Sequence, residues 1–501
     1  MTIGEVPTTS DDTPRGSSAD EIAAVIQIQR KAFLRDGPPS LAQRRHRMDR
    51  LAALTFDNAP QLAEAINIDF GNRPVQTTMF TEVLASISDT EYIRKHLGSW
   101  MRPRRVNGIA RPLGLRYAVH YQPLGVVGVM GAWNFPLTLL IQPTMEALAA
   151  GNRVVLKAPE GAPQTSALIK NLAPQYFEPD ELVVFTGGPS TAAAFASSDL
   201  DHLFFTGSAA VGRLVQRAAA DHLVPVTLEL GGKNPAVVAP DADIRRAAQR
   251  IANARLINSG QVCLCPDYAL VPRQSLDVFV DAVQSEYRRL FPTVLDNPAF
   301  CNIIDDKHFH RIVGLVEDAR RKGAVVVEAA PPGEPLPCAQ QRRIAPTVLY
   351  NVTDEMLVMH EEVFGPVLCV RSYEQTDEVI DYLNDRPSPL AAYWYGPNSA
   401  EFRRFCQRTF SGGVSRNDMG LHASVNGAPF GGVGESGMGS YHGKAGFETF
   451  SHRRTIAQSR LPWSVTSLMN PPVPPWLNKA MSIALKLQRA RLARRIKGFR
   501  P

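Results

Sequence analysis

The stretch VVGVMGAWNFPLTLLIQPTMEALAAGNRVVLKAPE, residues 126–160, contains two short apolar runs separated by a longer segment with helical spacing. Each run suits a buried strand, and the segment between them is long enough for a helix that crosses the sheet. The alternation continues with the helical segments QTSALIKNLA and TAAAFASS and the strand-like runs LVVFTGG and HLFFTGS. Because parallel strands need such crossovers, the pattern predicts a doubly wound, parallel α/β sheet.

A second series of the same kind follows residue 229. Its strand-like runs are NPAVVAP, YALVPR, AVVVEA and VLCVRSY, with helices predicted over residues 242–257, 276–290 and 377–384. Upstream, residues 19–100 are mostly helical in pattern, and prolines and glycines predict a projecting hairpin over residues 101–122. A chain of 501 residues exceeds a single core, so two α/β domains in tandem fit the length.

The composition excludes several classes of protein. With 44% apolar and 20% charged residues, the chain is typical of a soluble globular protein. Residues 1–18 lack the pattern of a secretory signal and predict a polar, mobile tail, and no apolar run is long enough for a membrane span. A cytoplasmic location is therefore expected, with free thiols at the six cysteines Cys263, Cys265, Cys301, Cys338, Cys369 and Cys406.

The net charge of +6 comes from the end of the chain. Beyond residue 460 there are no acidic residues and eight basic ones: Lys479, Lys486, Arg489, Arg491, Arg494, Arg495, Lys497 and Arg500. The rest of the chain is close to neutral and carries no nucleic-acid-binding motif. We therefore expect no nucleic-acid partner.

Two strand ends could hold a nucleotide. In HLFFTGSAAVG, Gly207 and Ser208 end a strand and Gly212 lies in the next helix, whose first amides would favour a phosphate. The GxGxxG spacing is absent, so these residues alone favour a plain tight turn. At the end of RVVLKAPE, Lys157 and Glu160 could bind ribose hydroxyls or form a solvated surface pair.

Three further residues could carry chemistry. Glu229 ends an apolar strand in VTLELGGKNP, where it could be a base of raised pKa or accept turn amides. Asn134 in GAWNFP could donate to an oxyanion or close an Asx turn. Cys263 and Cys265 lack the further ligands of a zinc site and the spacing of a disulfide, so no metal is expected. A nucleophile at Cys263, with simple burial as the alternative, and a buried Cys265 are the best interpretations.

The order of these motifs resembles that of the NAD(P)-dependent aldehyde dehydrogenases over about residues 19–460. The matching stretches are GAWNFP, VVLKAPE, FTGSAAVG, LELGGKNP, NSGQVCLCPDY, EEVFGPV and PFGGVGESGMGSYHGKAGFETFSH. PDY and GMGSYHG resemble the class 3 branch, and RDGPPSLAQRR resembles its bacterial coniferyl-aldehyde dehydrogenases. The resemblance implies an atypical Rossmann cofactor domain, an α/β catalytic domain and a bridging hairpin that pairs the subunits of a homodimer.

The implied domains follow from these matches. They are a tail (1–18), an NAD(P)-binding domain (19–101 and 123–229), oligomerisation segments (102–122 and 433–460), a catalytic domain (230–432), and a Pro-rich linker with a basic amphipathic helix (461–501).

The resemblance also implies residue roles. Cys263 would be the nucleophile, passing through a thiohemiacetal and a thioester, and Glu229 the general base. The Asn134 side chain and the Cys263 backbone NH would form the oxyanion hole. The implied cofactor positions are Lys157, Glu160, Gly207, Ser208, Gly212, Glu362 and Phe364.

The implied substrate is an aromatic, coniferyl-aldehyde-like aldehyde or a medium to long aliphatic one. The pocket candidates are Phe135, Leu139, Val262, Leu264 and His422. Glu160 should repel a 2′-phosphate and so favour NAD over NADP. The alternatives are a non-catalytic membrane-surface scaffold and a thioester or ester hydrolase using the same cysteine.

The C-terminal segment and Cys265 depart from the usual family pattern. Helical spacing places on one face Leu477, Met481, Ala484, Leu485, Leu492, Ile496 and Phe499. Such a helix over residues 476–501 could lie on an anionic membrane or pack on a dimer partner or over the substrate mouth. Cys265 could capture an oxidised Cys263 or line the pocket, and the second interpretation is favoured.

Overall fold

The computed structural model describes residues 16–106, 114–464, 466–467 and 470–498. Most of the expected tail and the tip of the expected hairpin therefore lie outside the described residues. The chain forms two compact units: unit 1 is Met1–Met101 with Gln122–His452, and unit 2 is Arg102–Tyr121 with Arg453–Pro501.

Unit 1 opens with the expected helical layer. Ser18 and Ser40 each cap a helix, and the Ser18 hydroxyl accepts from the Glu21 amide while the Glu21 carboxylate accepts from the Ser18 amide. A π-helical segment, Met79–Leu84, joins the fourth helix to the fifth. The first elements are α1 (Ala19–Asp36), α2 (Leu41–Asp57), α3 (Ala59–Phe70), α4 (Val75–Thr78), α5 (Ala85–Trp100), β1 (Arg104–Val106) and β2 (Leu115–Pro123).

The expected parallel sheet follows. Its elements are β3 (Val126–Met130), α6 (Thr138–Ala150), β4 (Arg153–Lys157), α7 (Pro163–Tyr176), β5 (Leu182–Phe185), α8 (Pro189–Ala196), β6 (His202–Gly207), α9 (Ala209–Ala220) and β7 (Val226–Leu230). The strands lie in the order β7-β6-β3-β4-β5, all parallel. Met130 is opposite Lys157, and Thr206 is opposite Glu229, so the strands end along one edge.

The second expected sheet is also confirmed. Its elements are β8 (Pro235–Val238), α10 (Ile244–Leu256), β9 (Tyr268–Pro272), α11 (Leu276–Leu290), α12 (Asp306–Arg321), β10 (Val325–Glu328), β11 (Thr347–Tyr350), β12 (Val367–Tyr373), α13 (Thr376–Asn384), β13 (Ala391–Tyr395), α14 (Ala400–Arg408) and β14 (Gly413–Arg416). The order is β10-β11-β12-β9-β8-β13-β14, with β10 antiparallel to β11 and the other pairs parallel. Apolar clusters cover both faces, one around Trp394 and one around Tyr393.

The last elements are β15 (Gly437–Met438), α15 (Lys444–Thr449), β16 (Ser451–Ser459) and α16 (Pro475–Gly498). β15 pairs antiparallel with β7, whereas β1, β2 and β16 form a separate three-stranded sheet. Residues 437–438 thus extend the first sheet, although the sequence assigned residues 433–460 to oligomerisation. That assignment and the other domain roles stay predictions.

Helix α16 confirms the predicted C-terminal helix, but its apolar side chains do not form the single face that the sequence predicted. Its apolar side chains are exposed, and Trp476, Ile483 and Leu487 lie on a different side from Met481 and Leu485. The predicted face did not include these three residues, and its last member, Phe499, lies outside the described residues. Among the helices that the structure describes, none is both long and apolar enough to cross a membrane.

Candidate active site

A cavity of about 780 Å³ opens in unit 1 where the two sheets face each other. Its wall combines the carboxyl ends of strands from the first sheet with the amino ends of strands from the second. Eight residues predicted from the sequence lie on this wall: Asn134, Leu139, Gly207, Ser208, Glu229, Cys263, Glu362 and Phe364. The three candidate catalytic side chains are therefore brought together.

A strained turn presents Cys263. Three consecutive residues, Asn258, Ser259 and Gly260, have left-handed backbones with φ of 50°, 50° and 78°. A Cβ at Gly260 would lie 2.1 Å from the carbonyl oxygen of Gly365, so only glycine fits there. The NSG sequence before the cysteine is thus the turn that places the thiol on the cavity wall.

The thiol of Cys263 is half-buried and surrounded by acidic groups. The Asn234 side chain holds the loop by donating to the Cys263 carbonyl at 2.6 Å. Burial raises the pKa of the Cys263 thiol, and the carboxylates of Glu362 and Glu229 raise it further. The thiol is therefore protonated at neutral pH and needs a base before it can attack.

Asn134 follows β3 and is almost fully buried. Its Nδ2 donates to the Gln261 carbonyl at 3.2 Å, and its own carbonyl accepts from the Asn258 side chain at 3.2 Å. An amide nitrogen has two hydrogens, so one donor remains for an oxygen in the cavity. These contacts join the Asn134 loop to the cysteine loop.

A buried ion pair also holds the Asn134 loop in place. Arg73 and Glu82, both fully buried, lie 2.9 Å apart. Arg73 donates to the Asn134 carbonyl at 3.0 Å, and Glu82 accepts from the amides of Leu137 and Thr138 at the start of α6. The helical layer therefore positions the Asn134 amide.

Glu229 lies at the end of β7, beside the two-residue strand β15. Both of its carboxylate oxygens are buried and have no hydrogen-bond partner within the described part of the chain. Burial raises the pKa of Glu229 well above its ordinary value. A raised pKa makes the carboxylate a stronger base once it has lost its proton, and no turn amide donates to its oxygens within the described part of the chain.

Glu362 reaches the cavity between the two sheets. Burial, reinforced by the negative charge of Asp267, raises the pKa of Glu362 to about 8. A Cβ at Gly231 would lie 2.1 Å from a Glu362 carboxylate oxygen, which explains the glycine there. Arg311 donates to the carbonyls of Glu362 and Val363, and Asp267 accepts from the Val363 amide. The segment is thus firmly held.

The amino end of α9 faces the cavity. Ser208 caps it by accepting from the Val211 amide at 3.3 Å, and Ala209 and Ala210 also lie on the wall. The first amides of a helix have no partner within it and attract anions. This end, together with the Glu362 carboxylate, fits a dinucleotide with a pyrophosphate and ribose hydroxyls.

Gly212 does not reach the cavity wall. A Cβ at this position would lie 2.7 Å from the Leu230 side chain, so the residue allows α9 to pack closely on β7. Lys157 and Glu160 also lie off the wall; the buried Lys157 ammonium forms an ion pair with the exposed Glu160.

Four of the five substrate-pocket candidates do not line this cavity. Phe135 and Val262 are buried in a cluster with Cys265, and Leu264 packs against that cluster. The His422 Nδ1 forms a hydrogen bond with the Ser415 hydroxyl. Burial lowers the pKa of His422 to about 4. Asn134 and Cys263 lie on the wall, whereas the residues next to them in sequence do not, so Leu139 is the one candidate of the five that reaches it. Contact of the other four with substrate stays a prediction.

The wall also contains residues that sequence reasoning missed. Trp133 packs edge-on against Phe364, and Phe430 lies 5.7 Å from Tyr441, measured between ring centroids. Trp133, Phe430 and Tyr441, the three that were missed, lie in the quoted motifs, but the motifs do not show which side chains face inward. Among the described residues, no cluster of His, Cys, Asp and Glu could hold a metal ion.

Cys265 points away from the cavity. Its Sγ lies 3.3 Å from the Ala254 carbonyl, and the thiol is buried in the apolar cluster behind Cys263. All six cysteines are free, as expected.

Comparison with known proteins agrees with this geometry. The sequence profile of the aldehyde dehydrogenase family matches residues 8–456. A probable coniferyl aldehyde dehydrogenase of Caulobacter vibrioides is 45% identical over 437 residues, which cover 87% of this chain and 90% of that protein. The coniferyl aldehyde dehydrogenase of a Pseudomonas species is 42% identical, covering 87% and 91%. A dimeric NADP-preferring aldehyde dehydrogenase of Canis lupus familiaris is 37% identical, covering 87% and 94%.

Solved structures show the same fold. The substrate-bound Staphylococcus aureus AldH has a TM-score of 0.85 and 29% identity, covering 93% of this chain and 99% of that one. The NAD+ complex of a Bacillus cereus aldehyde dehydrogenase has a TM-score of 0.79 and 26% identity, covering 89% and 90%. The chain therefore belongs to the aldehyde dehydrogenase family and is an oxidoreductase that uses NAD or NADP.

Proposed function

We propose that this enzyme oxidises an aromatic, coniferyl-aldehyde-like aldehyde to its carboxylic acid through Cys263. The observation that carries the proposal is the meeting of the Cys263 thiol, the unpartnered Glu229 carboxylate and the Asn134 amide on one cavity wall. The similarity to a coniferyl aldehyde dehydrogenase and to a probable coniferyl aldehyde dehydrogenase supports an aromatic substrate. A medium or long aliphatic aldehyde is the second candidate, since Leu139 and Phe430 give the wall an apolar portion.

Attack on the aldehyde begins with a proton transfer. Glu229 takes the proton of the Cys263 thiol, and the thiolate sulfur forms a bond to the carbonyl carbon, giving a thiohemiacetal. The developing oxyanion accepts from the Asn134 Nδ2 and the Cys263 backbone NH. Donors of this kind contribute roughly 3 to 4 kcal/mol each to the transition state.

The residues of the first sheet and of the 362–364 segment would hold the cofactor. We assign the pyrophosphate to the α9 amino end with Gly207 and Ser208, and the nicotinamide ribose to Glu362 and Phe364. Lys157 and Glu160 would bind the other ribose, and Glu160 would disfavour a 2′-phosphate, so NAD is favoured over NADP. Bound NAD(P)+ supplies the acceptor for the hydride that leaves the thiohemiacetal.

Hydrolysis completes the cycle. Glu229, once deprotonated again, takes a proton from water, and the hydroxide attacks the carbonyl carbon of the Cys263 thioester. The carbon–sulfur bond breaks, the carboxylic acid leaves, and the sulfur takes from Glu229 the proton that came from water, which restores the thiol. One carboxylate thus acts twice, and its raised pKa makes it the stronger base in both steps.

The test is a panel of aromatic and aliphatic aldehydes, assayed with NAD and NADP in parallel by absorbance of the reduced cofactor. We expect kcat/KM to be at least about tenfold higher for cinnamaldehyde-type aldehydes than for alkanals, a difference of about 1.4 kcal/mol in transition-state binding. Preference for alkanals would favour the second candidate. Ester hydrolysis without cofactor would favour a hydrolase, and inactivity toward the whole panel would favour a scaffold.

We also propose a homodimer in which residues 102–122 and 433–460 pair the subunits, in line with the similarity to the dimeric canine enzyme. Helix α16 would add a peripheral membrane contact, because its basic residues and the exposed Met481 and Leu485, which share one side of the helix, suit an anionic surface.

Vesicles containing anionic lipid should co-sediment the full chain at low salt but not a chain ending at Ser459. Neutral vesicles are the control, and the same comparison in high salt should remove the binding because ionic attraction is screened. Equal sedimentation of both chains would reject a membrane role for α16.

A further inference from the structure

Lys233 is a cation on the cavity wall that the steps above leave without a role. Its side chain is only 13% exposed, and its ammonium forms an ion pair with the buried carboxylate of Asp267. The ammonium also donates to the Val358 carbonyl at 2.6 Å and to the Glu361 carbonyl at 3.1 Å. An ammonium has three hydrogens, and these three acceptors use all of them. Lys233 therefore has no hydrogen left for a ligand and acts through the groups that it holds.

The ion pair holds the backbone on both sides of Glu362. Lys233 binds the carbonyl of the peptide group before Glu362, and the Asp267 carboxylate accepts from the Val363 amide, in the peptide group after it, at 3.0 Å. Because peptide groups are planar, fixing these two sets both backbone dihedrals of Glu362. The Lys233–Asp267 pair thus fixes the direction in which the Glu362 side chain leaves the backbone.

Asn234, the residue after Lys233, holds the cysteine loop. Its side chain donates to the Cys263 carbonyl at 2.6 Å, and its own carbonyl accepts from the Asp267 amide at 2.9 Å. Two adjacent residues therefore tie the Glu362 segment and the nucleophile loop to the start of β8. A shift of Lys233 would move the Glu362 carboxylate relative to the Cys263 thiol.

Asp267 has a second cation beside it. The Arg255 guanidinium lies 3.5 Å from the Asp267 carboxylate and donates to the Pro266 carbonyl at 3.0 Å. A buried carboxylate that loses every cation is strongly destabilising. Because Arg255 would remain, loss of the Lys233 charge should leave the protein folded and should act mainly on the segment that Lys233 holds.

We infer that the Lys233–Asp267 ion pair positions the Glu362 carboxylate for the ribose of the cofactor. This inference rests on the proposed assignment of the nicotinamide ribose to Glu362. Asp267 does not line the cavity, and all three hydrogens of the Lys233 ammonium are used, so both residues act through Glu362. Loss of the pair should therefore weaken cofactor binding and leave aldehyde binding unchanged.

A second ion pair of the same kind holds an earlier part of this segment. Asp318 of α12 and Lys322 just after it lie 2.9 Å apart. Lys322 donates to the Glu355 carbonyl at 2.7 Å, and Asp318 accepts from the Leu357 amide at 2.9 Å. These are the two peptide groups that flank Met356, which does not line the cavity. Lys322 is more exposed than Lys233 but makes the same contacts away from the cofactor, so it provides the matched control.

The first test is hydrogen exchange measured by mass spectrometry, without cofactor, on Lys233→Met and Lys322→Met. Methionine keeps the length of the lysine side chain but donates no hydrogen bond. Lys233→Met should raise the exchange rate in residues 361–364 by about tenfold and leave residues 354–357 unchanged, and Lys322→Met should do the reverse. A thermal melt verifies that both variants are folded. Unchanged exchange of residues 361–364 in Lys233→Met would overturn the positioning role.

The second test is a double-mutant cycle on the Kd for NAD, measured by fluorescence titration. Lys233→Met should raise this Kd by about tenfold, the usual scale for a hydrogen bond to a charged group, whereas Lys322→Met should change it by less than about twofold. Glu362→Gln should raise the Kd at least as much. Adding Lys233→Met to Glu362→Gln should raise it by less than about twofold more, because the pair acts through Glu362. In steady state, the KM for NAD should rise with the Kd while the KM for aldehyde stays constant.

An unchanged Kd for NAD in Lys233→Met would overturn the inference, as would losses that simply multiply in the double variant. Glu362→Gln separates the two levels of the proposal. If it weakens NAD binding and Lys233→Met does not, only the positioning role fails. If Glu362→Gln binds NAD normally, the assignment of the ribose to Glu362 fails, and the positioning of the ribose fails with it.

Discussion

Replacing Cys263 by serine should lower kcat for aldehyde oxidation by about 10⁴-fold or more. Serine fits the same turn, but its hydroxyl is far less acidic than a thiol and attacks carbonyl carbon poorly without a dedicated triad. The loss should therefore appear with folding intact. The measurement is NADH formation with saturating aldehyde, accompanied by a thermal melt to verify the fold.

Cys265→Ser is the matched control for this change. The Cys265 Sγ contacts the Ala254 carbonyl in the core behind the cavity, and a serine hydroxyl can donate to the same oxygen. Its kcat should stay within about threefold of the unsubstituted value, with a stability loss of about 1 kcal/mol at most. If the Cys263→Ser variant were active and the Cys265→Ser variant inactive, Cys265 rather than Cys263 would be the reactive thiol.

Glu229→Gln should lower kcat by about 10² to 10³-fold and trap the acyl group on Cys263. Without the carboxylate, attack proceeds only through the small thiolate fraction of Cys263, and water is activated even less, so each thioester that forms outlives the hydride step. Intact-protein mass spectrometry after mixing with aldehyde and NAD should show the added acyl mass. A variant that turns over at the normal rate and shows no adduct would remove Glu229 from the mechanism.

The same substitution should raise the melting temperature at alkaline pH. An unfolded glutamate loses its proton near its ordinary pKa of 4.5, whereas burial holds the pKa of Glu229 well above that in the folded protein. Between these two pKa values the folded state binds the extra proton, so the free energy of unfolding falls as pH rises. Glutamine removes this loss, and the advantage of Glu229→Gln in melting temperature should grow from pH 5 to pH 9. A constant difference across that range would contradict the raised pKa.

The residues at strand ends were the most predictable part of the site. Glu229 and Gly207 follow buried apolar runs, and parallel strands bring their carboxyl ends to one edge whatever the details of packing. The cysteine was identifiable because no further metal ligands or disulfide spacing accompany it and because its motif resembles that of the family. These predictions depend on local pattern, which a sequence contains.

The sequence does not show in which direction neighbouring side chains point. Phe135 follows Asn134 directly, yet one lies in the core behind the cysteine and the other on the cavity wall. No period in a loop tells the two directions apart. The contact of Lys233 with the Glu361 carbonyl joins residues 128 positions apart, so it exists only through tertiary packing.

The helices and strands that the prediction missed also differ in how much pattern their sequences contain. β14 has a single apolar residue, Val414, among its four, so it gives no apolar run to separate it from a loop. In contrast, α12 carries a regular apolar face that includes Phe309, Ile312 and Leu315, a signal that the sequence does contain and that our segmentation passed over.

The buried Arg73–Glu82 pair has a consequence for building chimaeras of this enzyme. A crossover placed between the helical layer and the first sheet looks harmless by domain boundaries, yet it would separate this pair from the Asn134 loop that it supports. A partner sequence lacking either charge would leave the other buried alone, at a cost of about 3 to 5 kcal/mol. Residues 73–138 therefore form one exchangeable block, and recombination should cut outside it.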